Sequence, residues 1–81
     1  MLEDSVLRTV RAAVHEASPE AKDVDDDTPL IAGRIIDSLS LLSLVSQLEA
    51  ELGISVRDAE MLPGNFESIR AIRAFLGTKG C

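Results

Sequence analysis

Few residues in this 81-residue chain have types that could do chemistry: a serine at the mouth of a leucine-rich run, one histidine, one cysteine and a cluster of aspartates. Ser38 follows Ile36-Asp37 and precedes Leu39-Ser40-Leu41-Leu42, so its hydroxyl stands where a helix should begin. A hydroxyl placed there can accept a first-turn backbone N–H as a cap, or carry a group that needs exposure and tolerates the positive end of the peptide dipoles. His15, the only histidine, has no histidine or cysteine partner for a metal and no nucleophile beside it in sequence. It reads as an exposed structural residue in a last helical turn, where a positive ring is mildly favourable. Cys81 is the last residue and has no basic cluster near it to lower its pKa, so it is read as incidental. The run Asp23-Val24-Asp25-Asp26-Asp27 lacks the glycine and the glutamate that a helix-loop-helix calcium loop requires, and reads as a solvated acidic loop. No metal site is expected. The chain has no glycine-rich phosphate loop, no His-Glu pair at helical spacing and too little mass to enclose a large pocket, so it is not expected to be an enzyme.

The elements that must position Ser38 follow from periodicity. Turning by about 100° per residue from Ser38 brings Leu41, Leu44, Val45, Leu48 and Leu52 into one core-facing stripe. Ser40, Ser43, Ser46, Gln47 and Glu51 fall largely opposite, while Leu39 and Leu42 lie off the stripe on the flank shared with Ser38. Gly53 ends this helix, and Asp37 or Ser38 caps its start. Replacing Ser38 by alanine is expected to cost about 1 kcal/mol of helix capping, whether or not the serine is modified. Upstream, Leu2, Val6, Val10, Ala13, Val14 and Ala17 give one apolar face over residues 2–17, with Glu3 and Asp4 in the first turn and Pro19 as the stop. Residues 18–37 form a long connection in which Leu30-Ile31 and Ile35-Ile36 argue for order, with room for a short helical turn. After Gly53, Ile54 and Val56 are expected to plug the core. Residues 58–62 suit a short helix ended by Pro63-Gly64, and a last helix should begin near Ser68, or near Asn65 if that residue is its cap. Ile69, Ile72, Phe75 and Leu76 are its buried stripe, with Arg70 and Arg73 outside, Gly77 as its end and a frayed tail beyond.

The expected fold is all-α: a small four-helix bundle of three main helices and one short helix, with a long first loop, over a single domain spanning residues 1–81. Its core must be aliphatic, since Phe66 and Phe75 are the only aromatic residues. The net charge of −6 is concentrated in residues 1–56, which hold eleven acidic and four basic side chains. Such a surface disfavours nucleic acid and anionic membrane and favours basic partner proteins. With one terminal cysteine, no basic-then-apolar leader and no apolar run of membrane-crossing length, a cytoplasmic protein is expected. The apolar patch at Leu39 and Leu42 is too small to imply a permanent dimer, so a monomer is expected.

Asp37-Ser38-Leu39 leading into a leucine-rich helix that closes at Glu49-Ala50-Glu51-Leu52-Gly53-Ile54 resembles the modification site of an acyl or peptidyl carrier protein. Thr28-Pro29-Leu30 and Gly33-Arg34-Ile35-Ile36 resemble the family's first loop, and Asn65-Phe66-Glu67-Ser68-Ile69 the start of its last helix, so the likeness covers nearly the whole chain. The resemblance implies a free-standing carrier. Ser38 would bear a covalent 4′-phosphopantetheine arm whose thiol holds cargo as a thioester. A phosphopantetheinyl transferase, an adenylating or acyl-transferring loading enzyme and downstream biosynthetic enzymes would be its partners. Asp37 would contact the transferase, and Leu39 and Leu42 would be apolar docking contacts. The chain departs from fatty-acid carriers in having Ser40, Ser43, Ser46 and Ala50 along the exposed side of the serine-bearing helix, where that family has acids. This favours a dedicated, specialised pathway, with Leu39, Leu42, Asp37 and the acidic first loop in docking. Cargo stays open between aminoacyl and acyl or polyketide, with Ile36-Asp37 before the serine leaning towards acyl. The alternative is a helical interaction adaptor that is never modified and uses Ser38 only as a cap.

Overall fold

The computed structural model describes residues 4–19 and 24–81. Three α-helices carry it: α1 (Ser5–Ala17), α2 (Ser38–Leu52) and α3 (Ile69–Thr78), with no strand among the described residues. Where one short helix was expected after Val56, the chain makes two single turns of 3₁₀ helix, Asp58–Glu60 and Pro63–Asn65. Pro63 therefore opens a turn rather than closing one, because its fixed φ suits a first helical position.

α1 packs against both α2 and α3, and α3 also meets the Pro63–Asn65 turn. Val10, Ala13 and Val14 of α1, Leu44, Val45 and Leu48 of α2, and Ile69, Ile72, Phe75 and Leu76 of α3 are buried together with Leu30, Ile36 and Phe66. Each helix thus buries the stripe that its spacing dictates. Leu41, Leu52, Ile54 and Val56 pack half-buried at the margin of this core. Leu2 and Glu3 lie outside the described residues, and α1 starts later than the apolar pattern suggests. Asp4 is its cap rather than a first-turn residue, its carboxylate accepting the Val6 and Leu7 N–H groups at 3.1 Å each. Ser68 caps α3 through Ala71 N–H at 3.0 Å. Asn65, the other candidate, instead donates to the Glu60 carbonyl at 2.8 Å and ties the two 3₁₀ turns together.

The acidic first loop is stapled down at its second half. Asp23 lies outside the described residues, but Asp26 pairs with Arg11 of α1 at 2.9 Å and Asp27 with Arg70 of α3 at 2.6 Å. Arg70 also donates its backbone N–H to the Asp26 carbonyl at 2.9 Å, which satisfies a first-turn donor of α3. Arg73, outside the buried stripe, turns towards α1, where its Nε meets Asp4 at 2.8 Å. Two expectations at the far end are corrected. Gly77 does not end α3, which continues to Thr78. The tail is held rather than frayed: Lys79 pairs with Glu60 at 2.8 Å and Cys81 packs against the core.

These pairs set a pH dependence. Arg73 and then the Leu7 N–H hold the Asp4 carboxyl below its ordinary range; Arg11 does so for Asp26, Arg70 for Asp27, and Lys79 followed by the Arg57 N–H for Glu60. A carboxyl whose pKa is lower folded than unfolded binds protons more readily in the unfolded chain. Its contribution is then present above the unfolded value and is lost as pH falls through the folded one. The melting temperature is therefore expected to be flat near neutrality and to drop below about pH 4, as thermal melts across the acid range would register. The pairs are exposed or half-buried, so added salt should shrink the effect, least for Lys79–Glu60.

Candidate functional site

Ser38 is delivered by a turn that closes on itself. Leu30 is fully buried, its N–H donates to the Glu67 carbonyl at 2.7 Å, and its own carbonyl accepts the N–H groups of both Ile35 and Ile36, at 2.8 and 3.0 Å. The chain can fold back so tightly because Gly33 N–H approaches the Pro29 carbonyl; a Cβ at Gly33 would lie 2.4 Å from that oxygen. The Ser18 hydroxyl, at the end of α1, donates to the Ile35 carbonyl and ties the turn to the bundle. Ile36 is then buried while the residues that follow, Asp37, Ser38 and Leu39, are exposed.

Of the two candidate caps, Asp37 is the one used. Its Oδ1 accepts the Ser40 N–H at 2.8 Å, and its carbonyl accepts the Leu41 N–H at 2.8 Å, which leaves Ser38 as the first helical residue. The Ser40 N–H and then the Ser40 hydroxyl hold the Asp37 carboxyl below its ordinary pKa. The Ser38 hydroxyl makes no hydrogen bond to any described residue. The expected capping cost of losing Ser38 is corrected accordingly and moves to its neighbour: Asp37→Ala should destabilise the fold by about 1 kcal/mol, measured by urea unfolding.

Around the serine the four sequence-selected residues share one end of α2. Leu39 is 77% exposed and Leu42 55%, so both face solvent beside Ser38, off the buried stripe of Leu44, Val45 and Leu48. On the other side Ser38 and Asp37 border an open cleft lined by Ile31, Arg34, Ile36, Leu41, Met61 and Pro63. Met61, contributed by the link between the 3₁₀ turns, was not anticipated as a neighbour; only the packing of that link brings it there. Arg34 was also missed. It adopts the left-handed conformation with φ 59°, which no pattern of residue types announces for an arginine. Further along α2, Glu49 is half-buried and accepts the Val56 N–H at 2.8 Å. The outer side of this helix is accordingly even less acidic than its composition suggests. No group of carboxylates, histidines and cysteines able to hold a metal occurs among the described residues, and none of their helices is long and apolar enough to cross a membrane.

A crystal structure of Bradyrhizobium japonicum glycine:[carrier protein] ligase, complexed with its cognate carrier protein and an analogue of glycyl adenylate, contains a chain that superposes on this one with a TM-score of 0.80. The alignment covers 93% of this chain and 99% of that one at 22% identity, so the likeness is of fold. No curated protein matches the sequence. The phosphopantetheine attachment site family matches residues 8–76, a span that begins in α1, contains the whole first loop and α2, and ends in the last turns of α3. The members of that family bear a covalent 4′-phosphopantetheine on a serine, and this chain belongs to the phosphopantetheine attachment site family.

Proposed function

We propose that the chain is a carrier protein, modified on Ser38, that presents an activated acid to the enzymes of a specialised biosynthetic pathway. The observation that carries the reading is the Ser38 hydroxyl: exposed, at the first position of a 15-residue helix, and spared from capping by Asp37. The surroundings fit a phosphate ester there. The amino end of α2 favours negative charge, and the oxygen has no bond to a described residue that modification would break. When bound, the arm supplies a terminal thiol that holds cargo as a thioester. The protein's own residues act by placement. Asp37 locks the first turn and offers a carboxylate, kept ionised by Ser40, to the transferase and its metal. Leu39 and Leu42 are the apolar contacts for partner enzymes, and the buried Leu30 turn fixes where Ser38 stands.

Among loading enzymes, an adenylating ligase is favoured by the fold shared with the chain from the glycine:[carrier protein] ligase complex. That makes amino acids the first cargo to test, ahead of the acyl chains towards which Ile36-Asp37 lean. The single domain over residues 1–81 and the roles of Asp37, Leu39 and Leu42 are part of the same proposal. The test is intact-protein mass after incubation with a broad-specificity phosphopantetheinyl transferase, coenzyme A and magnesium, beside an established carrier in the same tube. The expected result is a gain of one phosphopantetheine. No gain while the control is modified would overturn the reading.

A further inference from the structure

We propose that Arg34 is a positioning residue that holds the phosphate group once it is esterified to Ser38; the proposal rests on the assignment of Ser38 above. Arg34 lines the same cleft as Ser38 and Asp37 and is the sole cation among its lining residues. It also lines the neighbouring cleft that holds Asp37 and Ser40 at the amino end of α2, so it flanks the serine's surroundings on both sides.

The backbone at this position asks for a different residue. With φ 59°, Arg34 sits in the left-handed region that glycine enters without a Cβ penalty, and its N–H closes the turn onto the Ile31 carbonyl at 3.0 Å. The adjacent Gly33 does not relieve it, since that glycine is required by the close Pro29 carbonyl. Nothing in the turn needs an arginine side chain: it is exposed and makes no hydrogen bond or ion pair with a described residue. Four other cations are engaged, Arg11 with Asp26, Arg70 with Asp27, Arg73 with Asp4 and Lys79 with Glu60. Asp37 is the one carboxylate lining the cleft, and its acidity is owed first to the Ser40 N–H and hydroxyl. An unengaged guanidinium in a strained turn, beside the one oxygen that gains a phosphate, matches the planar two-point recognition that arginine makes of phosphate oxygens.

The test uses the full chain in its apo form and after modification by the transferase. The Arg34 Nε–Hε cross-peak, identified by its loss in Arg34→Gly, should shift between apo and holo protein. It should move back towards the apo position as sodium chloride is raised to about 0.5 M, where exposed charges are screened. The phosphorus-31 resonance of the holo protein should follow the same salt titration in the wild type and in Arg34→Lys, and should not respond in Arg34→Gly. Glycine suits φ 59°, so that variant keeps the turn and should melt no lower than the wild type. Holo protein that forms by mass, yet shows the same phosphorus resonance in wild type and Arg34→Gly and no Arg34 shift, would overturn the role of Arg34 alone. Absence of any mass gain would remove the Ser38 assignment and, with it, the anion that Arg34 is proposed to hold.

Discussion

Ser38→Ala is expected to lose the whole phosphopantetheine mass gain while unfolding at nearly the same urea concentration as the wild type. Both halves come from one geometric fact. The Ser40 N–H, which a capping serine would have satisfied, is already taken by Asp37 at 2.8 Å, and the Ser38 hydroxyl contacts no described polar group. Removing an exposed oxygen with no partner falls in the class of surface changes within about 0.5 kcal/mol, and alanine is the better helix former. The chemical effect is complete, because no other side chain can replace the missing nucleophilic oxygen at that position. A wild type that gains no mass, with stability lost in Ser38→Ala, would instead mean that Ser38 is structural. The adaptor reading, in which the serine serves as a cap, would then regain its basis.

Phe66→Ala is expected to be the most damaging single truncation, at about 3–5 kcal/mol. Phe66 is the largest fully buried side chain, 1% exposed, and its ring meets Phe75 of α3 with centroids 5.5 Å apart and planes inclined at 56°. Tilted pairs of this kind contribute about 0.5–1.5 kcal/mol beyond the area that they bury. A domain of this size is stable by about 0.05–0.15 kcal/mol per residue, so the loss would take most of what is available. The effect reaches the site as well. Phe66 anchors the segment whose next residue, Glu67, accepts the Leu30 N–H at 2.7 Å, and Leu30 in turn holds the turn that delivers Ser38. Chemical denaturation would measure the first effect, and the fraction of Phe66→Ala protein modified by the transferase at a temperature where it is still folded would measure the second. A cost below about 1 kcal/mol would show that this buried ring pair is not the keystone of the core.

The sequence by itself determined the parts of this protein that are written locally. The buried stripes of α1, α2 and α3 follow from side-chain spacing, because helical period alone decides which residues share a face. The exposure of Leu39 and Leu42 follows for the same reason, Gly53 ends α2 because a residue without a Cβ enters the left-handed region freely, and Ser38 could be singled out because a serine between Asp37 and a leucine-rich helix has few places to be. What only the tertiary structure decided are the matters in which distant or competing groups share one partner. Asp37 and Ser38 are both competent caps, and the backbone entering from the Leu30 turn gives the Ser40 N–H to Asp37. Arg73 was legible as a polar residue on α3, but its pairing with Asp4, across 69 positions of sequence, depends on how α1 crosses α3. Glu49 is half-buried because the chain after Gly53 brings the Val56 N–H back to it. The left-handed Arg34 arises from the closure of a turn around a buried leucine, a constraint set by packing and invisible to residue preference, which would have placed a glycine there.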